Sequence, residues 1–149
     1  MTIIDQFALR HTQLSAVHAD LHKQAGTEQA ITAKVELNMT PREMQRQQET
    51  MPSYQITAMI SCNGEAEADG EPLFSLQLTM HAAYQQIDGD AMDFEHFKRS
   101  HAPFTRQLYP LLHQHMRQLM LQLGLENVKL PYDLAEGRPV AKQQAVVLH

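Results

Sequence analysis

Alternation of apolar and polar residues with a period of two is the feature that most constrains this chain. It is cleanest over 73–84, where the apolar positions are Phe74, Leu76, Leu78, Met80, Ala82 and Tyr84. The same pattern runs through 31–40 and 54–63, while a weaker form over 7–17 changes phase between Leu9 and Leu14. A period of two over this length is typical of half-buried antiparallel strands, and a phase change requires a bulge. The sequence therefore predicts four consecutive strands before Gly89.

After Gly89 the period changes to 3.6, which is typical of a helix with one apolar stripe. The stripe consists of Phe94, Phe97, His101, Phe104, Leu108, Leu111, Leu112, His115, Leu119 and Leu123. Asp93 can cap the start, Gly124 suits the position after the end, and Pro103 and Pro110 predict a kink or two helical pieces. The predicted fold is α+β: a four-stranded antiparallel meander packed against a long, proline-interrupted C-terminal helix.

The length of 149 residues suits one domain with one core. We expect this domain to span 1–134, because the short apolar run 125–134 still follows the helix. The remaining 135–149 carries Gly137 and Pro139 and has no sustained period. We expect it to be a loosely ordered tail, of which 145–148 could pack elsewhere.

The charge of the chain argues against nucleic acid as a partner. Its formal net charge is −5, and the densest basic cluster, Lys98, Arg99 and Arg106, is too small to follow a phosphate backbone. A single cysteine fits a reducing compartment. The first ten residues lack the pattern of a signal peptide, and no apolar run approaches the roughly 20 residues of a membrane helix. We expect a cytoplasmic protein that does not insert into membranes.

Residues that could carry chemistry are better interpreted as structural. Cys62 falls on the apolar face of a predicted strand, which favours a buried thiol over a nucleophile. His18 and His22 have a ligand spacing for a helix, but their segment is extended, and the chain has no HExxH motif. The acidic stretch 65–71 is typical of a solvated hairpin tip. We expect no metal site, no cofactor and no catalytic residue.

Methionine is the one compositional oddity, with nine residues. Met39, Met44 and Met51 flank or lie in the polar segment 40–53, while Met116 and Met120 lie on the predicted helix. Methionine side chains adapt to irregular gaps, and they recur on surfaces that bind varied apolar partners. Filling of the core is the favoured interpretation, and a partner-binding edge is the alternative.

Several segments of the chain follow a pattern that is known from one protein family. Leu108-Tyr109-Pro110 precedes a helix ending at Gly124, and Asn127-Val128-Lys129-Leu130-Pro131 follows, which resembles the C-terminal part of the bacterial export chaperone SecB. Upstream, Glu71-Pro72-Leu73-Phe74 resembles the start of the family's fourth strand. The segments 54–65 and 31–40 resemble the third and second strands. The order and spacing agree from about residue 7 to residue 134, although no single motif is specific.

The resemblance implies a four-stranded antiparallel sheet packed on helices and a homo-oligomer, which in SecB is a dimer of dimers. It also implies a holdase, a chaperone that keeps unfolded precursor polypeptides in apolar grooves and passes them to the SecA motor. The groove would lie at the loop after strand two and at the stretch after the helix. Its candidate residues are Met39, Met44, Met51, Tyr54, Leu130 and Tyr132. The counterparts of the acidic SecA-contact surface would be Glu65, Glu67 and Glu71.

One departure from the family keeps other hypotheses open. The second C-terminal helix of SecB, which lines the groove, has no counterpart in 132–149. A second hypothesis is therefore a SecB-fold protein dedicated to one folded partner, such as a toxin–antitoxin chaperone. A third is a small enzyme whose activity depends on the acidic turn or the histidines. Under the first two we expect a dimer or tetramer, because the edges of a sheet need cover.

Overall fold

The computed structural model describes residues 2–22, 31–44, 51–67, 70–125, 128 and 142–148. A short 3-10 helix (Ile3–Gln6) precedes the strands β1 (Phe7–Leu21), β2 (Ile31–Glu43), β3 (Ser53–Ala66) and β4 (Pro72–Gln86). The helices α1 (Phe94–Arg99) and α2 (Ala102–Gln122) follow, and strand β5 (Lys142–Leu148) comes last. The α+β class and the antiparallel sheet packed on a C-terminal helical segment are confirmed.

The order of the strands differs from the predicted meander. It is β1-β4-β3-β2-β5, and each strand is antiparallel to its neighbours. β1 therefore pairs with β4, and β2 lies three strands away from β1 in the same sheet. Alternation determines which face of a strand is buried, but it carries no information about which strand lies beside it. This is why the strands were predicted correctly and their order was not.

Strand β5 is the second difference from the sequence prediction. It falls in the range 135–149, for which we expected a loose tail, and it pairs with residues 31–37 of β2. An edge strand offers unpaired N–H and C=O groups, and a segment that contains Val146 and Val147 has the β propensity to pair with them. Residues 135–141 lie outside the described part of the chain.

One face of the sheet forms the core together with the helices. On β3 the buried positions alternate as predicted, from Tyr54 through Ile60 to Cys62. The apolar residues of the predicted helical stripe all pack on the core, either buried or, for Phe94, Leu111, Leu119 and Leu123, half-buried. Beyond Leu112, however, the fully buried residues are Met116 and Met120, which the stripe did not include. Met116 and Met120 follow Leu112 at one and two turns, so they continue along the side of α2 that Leu112 buries, whereas His115 begins a row beside it.

The helix ends and the irregular strand agree with the sequence. The carboxylate of Asp93 accepts a hydrogen bond from the backbone N–H of His96 at 2.8 Å and so caps α1. Pro103 lies in the first turn of α2 and Pro110 inside it, and Gly124 follows its end with a φ of 75°. Strand β1 shifts register at two points along its pairing with β4, which confirms the predicted bulge.

Candidate functional site

A pocket of about 250 Å³ opens on the helix side of the sheet, where β2 ends, β3 begins and α1 starts. Its lining residues are Glu43, Met44, Pro52, Ser53, Tyr54, Met92, Asp93 and Phe94. Pockets for small-molecule ligands typically measure roughly 300–1,000 Å³. The volume is therefore better suited to one or two side chains of a polypeptide than to a cofactor.

The floor of the pocket is the ring of Tyr54, which is held by aromatic packing. It stacks on Phe97 with ring centroids 4.4 Å apart and lies 5.8 Å from the ring of Phe94. Phe7 joins the same cluster, 6.1 Å from Tyr54 and 5.2 Å from Phe97. Buried aromatic pairs of this kind contribute packing energy beyond their area, so the floor is preformed.

A buried glutamine holds the wall opposite β2. Oε1 of Gln86 accepts from the N–H of Met92 at 2.8 Å, and its Nε2 donates to the carbonyl oxygens of Asp88 and Asp90 at 2.9 and 2.6 Å. The carbonyl oxygen of Met92 in turn accepts from the hydroxyl of Tyr54 at 2.5 Å. Gln86 is almost fully buried, and the hydrogen bonds that satisfy its polar atoms also fix the turn over residues 88–92. The turn thereby places Met92 against Tyr54.

Two accessible apolar side chains lie at the rim of the pocket. Met44 is exposed, and its backbone N–H donates to the carbonyl oxygen of Ser53 at 3.1 Å, so its position is fixed at the end of the β2–β3 ladder. Across the pocket, Phe94 is half-buried, and Nζ of Lys98 lies 5.5 Å from its ring centroid. A methionine opposite a phenylalanine forms a surface that adapts to apolar side chains of different shape.

Two carboxylates give the rim a negative charge. Glu43 is paired in register with Tyr54 at the end of β2, and Asp93 lies at the start of α1. Both side chains belong to exposed residues. A polypeptide that places an apolar side chain in the pocket is therefore favoured when lysine or arginine flanks that side chain.

The structure brings together two of the six predicted groove residues, Met44 and Tyr54. Met39 is half-buried on β2 and packs against the core, which agrees with the favoured interpretation of the methionines as core filling and not with a place in the groove. Met51 is half-buried ahead of β3 and does not line the pocket. Leu130 and Tyr132 lie outside the described residues.

The predicted acidic surface lies at the other end of the sheet. Glu67 and Glu71 are exposed at the β3–β4 hairpin, and the half-buried Glu65 lies 3.9 Å from Nζ of Lys34. Glu65 is eleven residues along β3 from Tyr54, which is about 35 Å of strand. The pocket and the acidic residues are thus separate features, and a SecA contact at the acidic end stays a prediction.

Sequence reasoning missed Gln86, Met92 and Phe94. Phe94 was assigned to the core because it begins the helical stripe, although it is the one aromatic residue of the stripe that stays half-exposed. Gln86 continues the alternation of β4 onto the buried face, where a polar residue requires partners.

Other candidate groups are not arranged for chemistry. Burial raises the pKa of the Cys62 thiol to about 12, which keeps it protonated and unreactive. Burial also lowers the pKa of His101, whose Nδ1 has no hydrogen-bond partner in the structure. Within the described ranges there is no group of three or more histidine, cysteine or acidic residues placed to hold a metal ion. No helix in those ranges has the length and apolar character needed to cross a membrane.

The fold is that of the SecB-like chaperones. No protein-family model matches the chain, and no curated protein matches it in sequence. Among solved structures, it is similar to the SecB-like chaperone Rv1957 of Mycobacterium tuberculosis, solved in complex with a ChAD peptide from the Rv1956 HigA1 antitoxin. The TM-score is 0.70 and the identity 15%, and the match covers 87% of this chain and 91% of Rv1957.

Proposed function

We propose that this protein is a cytoplasmic holdase that binds unfolded or precursor polypeptides and serves protein export. The observation that carries the proposal is the pocket formed by Met44, Tyr54 and Phe94, which lies at the end of a sheet edge in a SecB-like fold. A bound polypeptide would insert an apolar side chain over Tyr54, with a contribution of about 25 cal/mol per Å² of buried apolar surface. No covalent step is involved.

A dedicated-partner chaperone is the second candidate. Rv1957 was solved with a peptide from an antitoxin, so the same fold is compatible with binding one client segment. The two candidates differ in selectivity, because a holdase accepts many unfolded chains whereas a dedicated chaperone ignores them. The acidic rim at Glu43 and Asp93 supports some selectivity under either candidate.

We also propose that the protein forms a homo-oligomer through β1. Within the described ranges, no strand pairs with the outer edge of β1. Val17 and Leu21 on this strand are 53% and 49% exposed, although their register partners on β4, Leu78 and Phe74, are buried. A second copy would cover both the open edge and these apolar side chains. The double variant V17D/L21D should then have a smaller mass by light scattering than the wild type.

The proposed activity is tested with reduced, carbamidomethylated ribonuclease A as the unfolded client, because its basic chain suits the acidic rim. We expect the wild type to bind it, and Met44→Asp to weaken binding by about tenfold, because the change removes apolar surface and adds a third carboxylate to the rim. The matched control is Leu121→Asp, which alters another exposed apolar residue, near the far end of α2.

The outcomes separate the candidates. Binding that Met44→Asp weakens and Leu121→Asp does not supports the holdase and its pocket. Equal binding by both variants would remove the pocket from the site. A correctly folded wild type that binds no unfolded client would shift the assignment to a protein dedicated to one partner.

A further inference from the structure

The strand β5 occupies a position that an extended polypeptide would need. It pairs antiparallel with residues 31–37 of β2, whereas residues 38–43 of β2 have no partner on that side among the described residues. The uncovered part of β2 runs directly to Glu43 and Met44 at the pocket. An extended chain seated in the pocket therefore continues along the β2 edge toward β5.

The uncovered part of β2 is a poor template by itself. It contains Pro41, which has no N–H to donate to a neighbouring strand. It is also only six residues long, so few main-chain hydrogen bonds are available there. Regular strand addition on β2 requires residues 31–37, which are the residues that β5 covers.

The composition of β5 is poorly matched to the strand it covers. At the end of β5, Leu148 is in register with Ile31, an apolar pair. At its beginning, however, Gln144 and Lys142 are in register with the buried Val35 and Leu37. Residues directly opposite each other in an antiparallel pair lie on the same face, where apolar pairs stabilise and mismatched pairs do not. An alternating aliphatic segment would make better pairs at these positions.

The attachment of β5 is also limited. Among the described elements, its main contacts are with β2. It is joined to the preceding elements through residues 129–141, so its hold on β2 depends on the high local concentration that a tether provides. Such a strand can leave β2 and still remain attached to the rest of the chain.

We propose that β5 is an internal placeholder for the client: an extended polypeptide with alternating aliphatic residues displaces Lys142–Leu148 and pairs with β2 in its place. This inference rests on the proposed function and adds a second, main-chain part to the binding site. It also defines the client segment chemically, as a strand with aliphatic residues at every second position opposite Ile31, Ala33, Val35 and Leu37.

The test uses the full chain and a fluorescein-labelled peptide of alternating valine and threonine flanked by lysines. In K142V/Q144V the internal strand becomes a stronger competitor, so peptide binding should weaken by about tenfold. In Val146→Asp, a charge is introduced in register with the buried Ala33, so binding should strengthen by a similar factor. The control is Gln143→Val, whose register partner Glu36 is exposed, and we expect it to change binding less than about twofold.

Hydrogen exchange of the β2 amides provides a second readout. In Val146→Asp these amides should exchange faster, and added peptide should restore their protection. If the wild type binds the peptide but K142V/Q144V and Val146→Asp leave the affinity unchanged, β5 is not a competitor and the inference is wrong, while the proposed function stands. If neither the wild type nor Val146→Asp binds the peptide or the unfolded client, both proposals fail.

Discussion

The ring of Phe74 occupies the space in which a side chain on Gly64 would lie. The two residues are paired across β3 and β4, and a Cβ built on Gly64 would be 2.2 Å from Cε1 of Phe74. Phe74 is itself buried, so its ring has little freedom to move away. The absence of a side chain at Gly64 is therefore a packing requirement of the sheet.

Gly64→Ala should destabilise the protein by about 1–3 kcal/mol, the range for overpacking a core. The comparison variant is Gly70→Ala, where nothing lies within 4 Å of the added Cβ but φ is +70°, so only backbone strain of about 1 kcal/mol is added. Urea denaturation measures both. A Gly64→Ala variant as stable as the wild type would contradict the packing described here.

Gln86→Leu should loosen the wall of the pocket. The change leaves the N–H of Met92 and the carbonyl oxygens of Asp88 and Asp90 without their partner, at a cost of about 2–3 kcal/mol. The neighbouring Gln85→Leu is the control, because Gln85 is half-buried on the opposite face and its side chain accepts a hydrogen bond from the exposed Arg10. We expect the client affinity to fall for Gln86→Leu alone, which fluorescence titration of each variant would measure.

Tyr54→Phe keeps the aromatic stack and removes the hydroxyl that donates to Met92. Because the carbonyl oxygen of Met92 is buried, we expect a loss of about 1–2 kcal/mol in the free energy of unfolding. Tyr84→Phe is the comparison, because the Tyr84 hydroxyl donates to the side-chain oxygen of the exposed Gln107. Water can take the place of that hydroxyl as the donor, so the free energy of unfolding should fall by only about 0.5 kcal/mol. Equal losses in the two variants would show that the bond to Met92 does not stabilise the pocket wall.

The buried Cys62 predicts a specific dependence on pH. Its pKa is raised from 9.0 to about 12 by burial, so the folded state keeps the proton where the unfolded state loses it. The resulting stabilisation is complete below pH 9 and is lost as the pH rises toward 12. Labelling with a thiol reagent at pH 9 should be slow in the folded protein and fast in urea. Fast labelling of the folded protein would place Cys62 at the surface.

The strands could be predicted because each pattern is local. Alternation in 54–63 and 73–84 identifies both the strand and its buried face, and the structure buries the predicted residues. The order of the strands could not be predicted, because the alternation within β1 does not specify whether β2 or β4 lies beside it. On α2, the choice between Met116 and His115 as the buried residue depends on the direction in which the helix crosses the sheet.

The candidate site could be predicted only in part for the same reason. Met44 and Tyr54 stood out as apolar residues beside a polar segment. Their neighbours Met92 and Phe94 come from a distant part of the chain, and the hydrogen bonds of Gln86 bring them there. No local pattern encodes that contact, although a glutamine on the buried face of β4 indicated that a partner was needed.

The stack of Tyr54 on Phe97 also makes the pocket a natural optical reporter. The chain has no tryptophan, so a client that contains one is the sole source of indole emission in the complex. Tyrosine emission overlaps indole absorption, and Tyr54 forms the floor on which the client side chain would rest. Because Tyr84 and Tyr109 also emit, the part of the energy transfer to a client tryptophan that is lost in Tyr54→Phe would report occupancy of the pocket without any added dye.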